Sequence, residues 1–291
     1  MSDLTVIMPS YNEEASLKII LPEWIDECKN NDWQLIIVND GSTDDTRDVL
    51  SGYSGIESLK VFTHKINKGY GAALKTGIIN TQTPFLVTVD ADGQHTTEAI
   101  HALYHQIKMD DSDLIIGSRS SKNSLSFRSI GKFLIRLLSR FLVPNNISDL
   151  NSGLKIYQSD LAKRFIKACP NTMAFSDIIT LTFIAERCKV TEYPVTIQSR
   201  VGGKSKININ SAIDTVIEII NIVVFFNPLR FFLPLAFIFF ILGVGWGLPI
   251  IIQGKGVSVG SLLSITLASI FFVLGLIAEQ ISQIRKILIY D

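Results

Sequence analysis

Two long apolar segments near the C-terminal end of the sequence constrain the fold more than any other feature. They cover 24 residues from Leu229 to Ile252 and 25 residues from Val257 to Ile281. The first has no charged side chain after Arg230, and the second has only Glu279, near its end. Because about 20 apolar residues cross the hydrocarbon core of a bilayer as a helix, each segment is long enough to span it. We therefore predict a transmembrane hairpin, with a pair of buried core helices as the alternative.

Basic residues flank the outer ends of this predicted hairpin. Arg230 precedes most of the first segment, Arg285 and Lys286 follow the second, and the link between the segments holds one cation, Lys255. By the positive-inside rule the N-terminal part and the C-terminus both face the cytoplasm, so we expect a multi-pass protein of the cell membrane. The opening stretch MSDLTVIMPS has no basic region followed by a long apolar run, and we expect no signal peptide.

Cysteine content argues against a disulfide framework and a zinc site, whereas the net charge by itself indicates no class of partner. The three cysteines, Cys28, Cys169 and Cys188, are odd in number and show no CxxC spacing, so we expect reduced thiols rather than disulfides or a zinc site. The sequence has 27 basic and 27 acidic residues and a formal net charge of zero. We expect no nucleic-acid partner.

Residues 1 to about 200 alternate β-rich runs with helical stretches. This order predicts an α/β domain with a mostly parallel sheet covered on both faces, whose site lies at the carboxyl ends of the strands. The predicted strands are Thr5–Met8, Leu35–Val38, Leu59–Phe62, Phe85–Val89 and Leu114–Ile116. The predicted helices are 14–29, 44–51, 70–80 and 97–109.

Polar residues and turn formers follow four of the predicted strands. They are PSYNE at 9–13, NDGSTD at 39–44, DADG at 90–93 and GSR at 117–119. Any one of them is typical of an ordinary turn or helix cap, but four at one edge of a sheet indicate a site. In an extended strand Asp90 and Asp92 would face the same side, roughly 6 to 7 Å apart. We expect a cation between these like charges.

Other nucleotide and metal patterns fit the sequence less well. GYGAA at 69–73 imitates a dinucleotide-binding loop, but Leu74 occupies the third glycine position. The sequence has no GxxxxGK[ST] loop, and the glycine of DADG is the fourth residue, whereas a calcium loop needs it at the sixth. His101 and His105 have metal-ligand spacing without a third ligand, so we interpret them as a surface pair. His95 is nearer the two aspartates and would support their surroundings.

The ordered set of motifs resembles glycosyltransferase family 2, whose enzymes have the GT-A fold, and most of all its polyprenyl-phosphate (dolichyl- or undecaprenyl-phosphate) glycosyltransferases. The resemblance covers nearly the whole chain, including the hairpin. It implies a Rossmann-like GT-A catalytic domain at 1–210, a juxtamembrane amphipathic helix at 211–228, and the hairpin with a short cytoplasmic tail at 229–291. The matching segments are VIMPSYNEE (6–14), VNDGSTDDT (38–46), NKGYGAALKTG (67–77), DADGQH (90–95), GSR (117–119) and SDLNSG (148–153).

The resemblance also implies a binding site for a nucleotide sugar. The family's positions for base and ribose, which include a stacking aromatic ring and an acceptor for a ring N–H, are matched here by Pro9, Tyr11, Glu13 and Asp40. The ligands of a divalent cation, Mg²⁺ or Mn²⁺, that bridges the diphosphate are matched by Asp90, Asp92 and Gln94. These hard oxygen donors are too few to fill an octahedron, so phosphate and water oxygens would complete it.

Basic residues should hold the implied acceptor, a polyprenyl phosphate, because it is an anion. The candidates are Arg119, Arg128, Arg200 and Lys206. The last two lie in SRVGGKSKIN, which matches the family's Arg-x-x-Gly-x-Ser-Lys pattern and would close over the donor diphosphate. The alternative for this loop is a juxtamembrane cluster attracted to anionic lipid.

Arg128 belongs to a stretch at 126–143 that combines a basic stripe at i+4 spacing with a broad apolar face. Such a helix can lie in the headgroup region of a membrane, and a solvated face on a helix packed to the domain is the alternative. A second helix at 212–226 is expected to lie at the same interface.

The catalytic residues expected from the resemblance are Asp90, Asp92, Arg119 and Asp149. Asp149 starts a segment that matches the family's Asp-x-x-Ser-Gly, where it would orient the acceptor or act as a base. It could instead cap the turn before a strand at Leu154–Tyr157. Relatives often have a Glu-containing run at the position of Asp177. Asp177 either takes the role of that run or has no such role.

The resulting expectation is metal-dependent, inverting transfer of a hexose, glucose or mannose, from a UDP- or GDP-linked sugar to a polyprenyl phosphate at the cytoplasmic membrane face. A two-helix hairpin has little to pack against, so self-association is also expected. Two alternatives stay open. A processive polysaccharide synthase usually has a Gln-x-x-Arg-Trp motif and more membrane helices, and neither is found here. A catalytically silent membrane scaffold is disfavoured by the intact DADG segment, Arg119 and Arg200.

Overall fold

The structure is a computed structural model that describes residues 2–119, 147, 149–199 and 228–290. Within these residues the chain forms two units. The sheet unit comprises the described residues up to 199, and the hairpin unit comprises 228–290. The helices predicted at 126–143 and 212–226 lie outside the described residues.

The described part of the sheet unit holds seven strands in one sheet. They are β1 Leu4–Ser10, β2 Gln34–Asn39, β3 Leu59–Thr63, β4 Phe85–Thr88, β5 Leu114–Arg119, β6 Lys155–Gln158 and β7 Val190–Val195. Their spatial order is β3-β2-β1-β4-β6-β5-β7. Strands β1 to β4 are mutually parallel, and β5 is parallel to β7. Only β6 runs antiparallel to its neighbours β4 and β5.

Helices connect and cover these strands. They are α1 Glu14–Asn30, α2 Thr46–Ser51, α3 Tyr70–Ile79, α4 Thr97–Asp110, α5 Ser159–Phe165 and α6 Phe175–Ala185, with a 3₁₀ turn at Ile166–Ala168. All seven residues of β1 are buried, as expected for a central parallel strand covered on both faces.

Helix α4 shows how the sequence sets one of these elements. The Thr96 hydroxyl accepts a hydrogen bond from the Ala99 amide at 3.3 Å and caps the first turn. Ile100, Leu103 and Ile107 recur at helical spacing and are buried. The apolar stripe therefore faces the sheet, and the cap fixes where the chain leaves the loop that follows β4.

The structure confirms the α/β class, the mostly parallel sheet and the first five strands in their predicted order along the sequence. Strand β4 ends at Thr88, one residue earlier than predicted. The reversed direction of β6, helix α6 and strand β7 were not predicted from the sequence. Strand β7 contains Pro194, which is tolerated there because β7 is an edge strand.

The cysteines are free, as predicted, and two of them, Cys28 and Cys169, are buried. Burial raises the pKa of both thiols to about 12. Neither therefore forms a reactive thiolate at neutral pH.

The hairpin unit consists of α7 Pro228–Ile252 and α8 Val259–Tyr290. Two stretches, Pro228–Ile252 and Val259–Arg285, are long and apolar enough to cross a membrane, with mean hydropathies of 2.5 and 2.4. Each is only 17% buried within the protein, which favours membrane spans over core helices. The second helix was predicted to end at Ile281 but continues to Tyr290, because no helix breaker follows Ile281.

Small residues form the seam between α7 and α8. A Cβ atom on Gly247 would lie 2.2 Å from the Ser261 hydroxyl oxygen, so only glycine fits there. The same hydroxyl donates a hydrogen bond to the Gly243 carbonyl at 2.5 Å. Close backbone approach at small residues is how membrane helices commonly pack.

Candidate active site

A pocket of ≈ 330 Å³ lies at the carboxyl ends of β1, β2 and β4. It brings together six of the residues predicted to bind the donor or a metal, namely Pro9, Tyr11, Glu13, Asp40, Asp90 and Asp92. The other lining residues are Ser10, Asn67, Gly69, Tyr70, Ala73, Ala91 and Met173. The pocket therefore forms at the edge of the sheet where the sequence predicted a site.

Asp90 and Asp92 both line the pocket, but they do so from a turn and not from alternate positions of a strand. The reason is that β4 ends at Thr88. The Asp92 carboxylate is buried and accepts a hydrogen bond from the Gln94 amide at 3.0 Å, which closes an Asx-type turn. The expectation that a shared strand face aligns the two carboxylates is therefore wrong, although the turn still delivers both to one pocket.

Two neighbours fix the Asp90 carboxylate. The Tyr70 hydroxyl donates a hydrogen bond to its Oδ1 at 3.0 Å. Burial and the Asp90 charge raise the pKa of Tyr70 well above its usual value, so the phenol remains a donor at neutral pH. On another side Gly153 packs so closely that a Cβ there would lie 2.2 Å from Asp90 Oδ2.

Asp40 is buried at the end of β2 and holds the loop that leads into α3. Its Oδ1 accepts from His64 Nδ1 at 2.6 Å and from the Lys68 amide at 2.9 Å. Its Oδ2 accepts from the Gly69 amide at 2.8 Å. His64 is held in turn by its Nε2, which lies 2.9 Å from the Thr76 hydroxyl. Asp40 is therefore a loop anchor as well as a wall of the pocket.

The loop after β1 places Tyr11 at the pocket with 44% of its surface exposed. Asn12 adopts a positive φ of 56° and its side chain accepts from the Thr43 amide at 2.8 Å. The Glu13 amide donates to the Thr46 hydroxyl at 3.1 Å. These bonds tie the β1 loop to the β2 loop, so the tyrosine ring is presented from a braced backbone.

The segment predicted to lie near the acceptor is built around a buried lysine. Lys155 is fully buried, and its Nζ donates to the Leu150 carbonyl at 2.7 Å, to the Ser176 carbonyl at 2.5 Å and to the Ser176 hydroxyl at 2.7 Å. Burial lowers the pKa of Lys155 to about 8, and the charges of Asp177 and Asp149 oppose that shift. The lysine thus joins the turn before β6 to the first turn of α6.

The remaining predicted residues have different placements. The Asp149 amide donates to Glu192 at 2.9 Å, and neither Asp149 nor Gln94 is among the residues that line the pocket. The Arg119 backbone ends β5, but its side chain is outside the described set, as are Arg128, Arg200 and Lys206 entirely. His101 pairs with Glu27 at 2.6 Å, in agreement with a surface role.

Three residues of the site were missed by the sequence analysis: His64, Tyr70 and Ser10. Ser10 is 2% exposed, and its hydroxyl has no hydrogen-bond partner in the described part of the chain. The serine stood inside the PSYNE segment, so its position was visible, but its burial was not. Nothing in the sequence linked His64 to Asp40 or Tyr70 to Asp90.

The strand order and the polar pocket at the carboxyl ends of β1, β2 and β4 define an α/β domain of the GT-A type. The chain belongs to glycosyl transferase family 2, which its residues 5–165 match. Residues 227–284 also match the GtrB C-terminal hairpin. The family resemblance and the hairpin inferred from the sequence are thereby confirmed.

Two curated relatives illustrate the similarity. A dolichyl-phosphate beta-glucosyltransferase (ALG5A) of Trichomonas vaginalis is 27% identical over 232 residues, covering 73% of this chain and 72% of that protein. An undecaprenyl-phosphate 4-deoxy-4-formamido-L-arabinose transferase of Yersinia pestis is 24% identical over 221 residues, covering 75% of this chain and 66% of that protein.

Among solved structures, the chain is similar to glucosyl-3-phosphoglycerate synthase from Mycobacterium tuberculosis in complex with Mn²⁺, UDP-glucose and phosphoglyceric acid. The TM-score is 0.58 at 16% identity, over 76% of this chain and 79% of that one. At this identity the likeness supports the fold alone.

Proposed function

We propose that this chain transfers a hexose, glucose or mannose, from a nucleotide sugar to a polyprenyl phosphate, with inversion at the sugar carbon. The observation that carries the proposal is that one pocket gathers Tyr11, Asp40, Asp90 and Asp92 from three strand ends. Membership of the family, the matched hairpin and relatives named for dolichyl and undecaprenyl phosphate support the lipid acceptor.

The donor would lie along the strand ends. The exposed Tyr11 ring offers a face on which a base can stack, and Pro9 and Glu13 line the wall beside it. Asp90 and Asp92, further along the pocket, would face the diphosphate. A pocket of ≈ 330 Å³ is at the lower end of the range for small-molecule sites, so it would hold part of a nucleotide sugar.

The donor set of this pocket fits a divalent cation. Among the described residues no group of three or more His, Cys, Asp or Glu side chains forms a complete metal site. Mg²⁺, however, is commonly held by one or two carboxylates together with substrate phosphates, which matches Asp90 and Asp92. Mg²⁺ or Mn²⁺ bound there, with Gln94 as a further candidate ligand, would offset the charge that develops on the nucleoside diphosphate.

The acceptor needs orientation more than it needs a strong base. A phosphate monoester has a second pKa of about 6, so it is largely a dianion at neutral pH and its oxygen is already a nucleophile. Asp149 would orient this group, and Arg119, Arg128, Arg200 and Lys206 would reduce the repulsion between the two phosphates. One in-line displacement gives inversion.

We place the catalytic domain at 1–210, the juxtamembrane helix at 211–228 and the hairpin at 229–291, with the domain and the C-terminus in the cytoplasm. Labelling of single cysteines introduced at Lys255 and Ser54 of intact cells tests this orientation. Modification of the Lys255 position alone by an impermeant reagent is expected. Labelling of the Ser54 position would contradict this orientation.

Self-association stays a prediction, which light scattering of the protein in nanodiscs tests.

The activity is tested with the full chain in nanodiscs, polyprenyl phosphate and a panel of nucleotide sugars. We expect release of nucleoside diphosphate together with a lipid-linked monosaccharide of inverted anomeric configuration. EDTA and Asp92→Asn should each nearly abolish turnover, whereas Asp26→Asn, at an exposed carboxylate on α1, should not.

Three results would count against the proposal. Turnover that persists in EDTA would show that the reaction does not require a metal ion. A polymeric product would favour a processive synthase. No product with any donor would favour a silent scaffold.

A further inference from the structure

The segment just before α6 packs on the first turn of α3. The Asn171 carbonyl oxygen accepts hydrogen bonds from the Gly71 amide at 2.9 Å and the Ala72 amide at 3.3 Å. The Asn171 side-chain oxygen accepts another from Lys75 Nζ at 2.8 Å. Because the first amides of a helix have no partner four residues earlier in the helix, they bind groups from outside it. One asparagine therefore holds the segment against α3.

These contacts give the GYGAA segment at 69–73 a structural role. A Cβ atom on Gly69 would overlap the Asn171 carbonyl oxygen. A Cβ atom on Gly71 would overlap the Pro170 carbonyl oxygen. In a dinucleotide-binding loop, glycines at this helix end let the backbone approach a pyrophosphate. Here the two glycines admit a segment of the protein itself.

The same segment carries Met173 into the pocket. Met173 lies two residues after Asn171, so its Cα atom is within about 7 Å of the anchored residue. Its side chain lines the pocket and is 60% exposed, whereas the next two residues, Ala174 and Phe175, are buried. The other described residues that line the pocket lie between positions 9 and 92. Met173 is therefore an accessible apolar side chain that a distant part of the chain adds to this pocket.

The anchor of the segment indicates which part of the donor Met173 would meet. Helix α3 begins at Tyr70, whose hydroxyl donates to Asp90 Oδ1 at 3.0 Å. Since Asp90 would face the donor diphosphate, Met173 belongs to the end of the pocket that receives the diphosphate and the hexose. A thioether cannot offset the charge of a phosphate, but it is flexible and packs well against apolar groups. The carbon–hydrogen groups of the hexose ring are the matching surface.

We propose that Met173 is a specificity-determining residue that packs against the hexose of the donor. This contact makes the pocket bind the sugar-bearing donor more tightly than the free nucleoside diphosphate that the reaction releases. The inference rests on the proposed function, because it assumes that the pocket binds a nucleotide sugar.

The first test is NMR of the full chain in nanodiscs, with ¹³C-labelled methionine methyl groups and Mg²⁺ present. The sequence has four methionines, and Met173→Leu identifies the Met173 signal by its loss. We expect UDP-glucose or GDP-mannose to shift this signal further than UDP or GDP does. Met109 is 71% exposed on α4 and lies outside the described lining of the pocket, so its signal is the matched control and should not shift.

The second test is equilibrium binding of the same nucleotides to variants. Covering roughly 50 Å² of apolar side chain is worth about tenfold in affinity. Met173→Ala should therefore weaken binding of the nucleotide sugar by about tenfold and leave binding of the free diphosphate within about twofold. Met173→Leu keeps an apolar side chain of similar volume and should retain most of the affinity. Met109→Ala should match the wild type, and thermal unfolding checks that each variant is folded.

The outcomes separate the two claims. A Met173 signal that shifts equally with the nucleotide sugar and the free diphosphate, or that shifts only when polyprenyl phosphate is added, overturns the hexose contact. Unchanged binding of the nucleotide sugar by Met173→Ala overturns it as well. Each of these results leaves the proposed function standing, whereas binding of none of these nucleotides overturns the proposed function itself.

Discussion

Gly153 lies against the Asp90 carboxylate with no space for a side chain. An alanine Cβ would lie 2.2 Å from Asp90 Oδ2 and 2.7 Å from its Cγ. The glycine cannot retreat easily, because its carbonyl accepts a hydrogen bond from the Thr88 hydroxyl at 2.9 Å in the middle of the sheet. Gly153→Ala should therefore displace the carboxylate and not the backbone.

The size of the effect follows from the contact distance. Ordinary van der Waals contact begins near 3.4 Å, so the carboxylate must move by about 1.2 Å. A misplacement of about 1 Å in a catalytic constellation can cost roughly 100-fold in rate. We expect kcat/KM to fall by about 100-fold, or about 2.7 kcal/mol of transition-state stabilisation.

The measurement is nucleoside diphosphate release by Gly153→Ala in nanodiscs, with thermal unfolding followed in parallel. Gly52→Ala is the matched control, because its Cβ would meet nothing closer than 3.4 Å and its φ is −64°. Wild-type kinetics in Gly153→Ala would refute the reasoning. An equal loss in both variants, or a melting temperature lowered enough to explain the loss, would refute it as well.

Three further predictions concern Tyr70, Lys155 and Gly247. Tyr70→Phe removes the donor to Asp90 and should lower kcat/KM by about tenfold, the value of a hydrogen bond to a charged group; unchanged steady-state kinetics would contradict this. Burial lowers the pKa of Lys155 from an ordinary 10.5 to about 8 in the folded chain. Between these two pH values the lysine is more fully protonated in the unfolded chain than in the folded chain. Its contribution to the free energy of unfolding therefore rises with pH in this range. The melting temperature of wild type relative to Lys155→Met should accordingly rise from pH 8 to pH 10, and a falling difference would contradict the shift. Gly247→Leu should separate α7 from α8 and increase protease cleavage in the hairpin, whereas Gly245→Leu, with nothing within 4 Å, should not.

The strands and the position of the pocket could be predicted because their signals are local. Apolar runs bounded by turn formers located β1 to β5 within a few residues. The run is clearest in a central strand such as β1, which is buried on both faces. The polar segments after β1, β2 and β4 then pointed to one edge by topology alone. This is why Tyr11, Asp40 and Asp90 could be assigned to one pocket.

The groups that support this pocket could not be predicted, because their partners are distant in sequence. Lys155 stands in a strand that looks ordinary, and its burial depends on Ser176 and on the reversed direction of β6. His64 follows an edge strand and gave no sign of reaching Asp40. The end of β4 was misplaced because Val89 continues the apolar pattern, although the Asx turn at Asp92 follows at once.

Reversal of β6 ties the sheet and the pocket to one turn. The chain re-enters the sheet at Lys155, which pairs with Ile116 on one side and Thr88 on the other. The described residues just before Lys155 are held as well, because Gly153 lies against Asp90 and the Leu150 carbonyl accepts from Lys155. A change in the length of this turn would therefore shift the start of β6 and the Asp90 carboxylate together, so strand register and pocket geometry are under a single constraint.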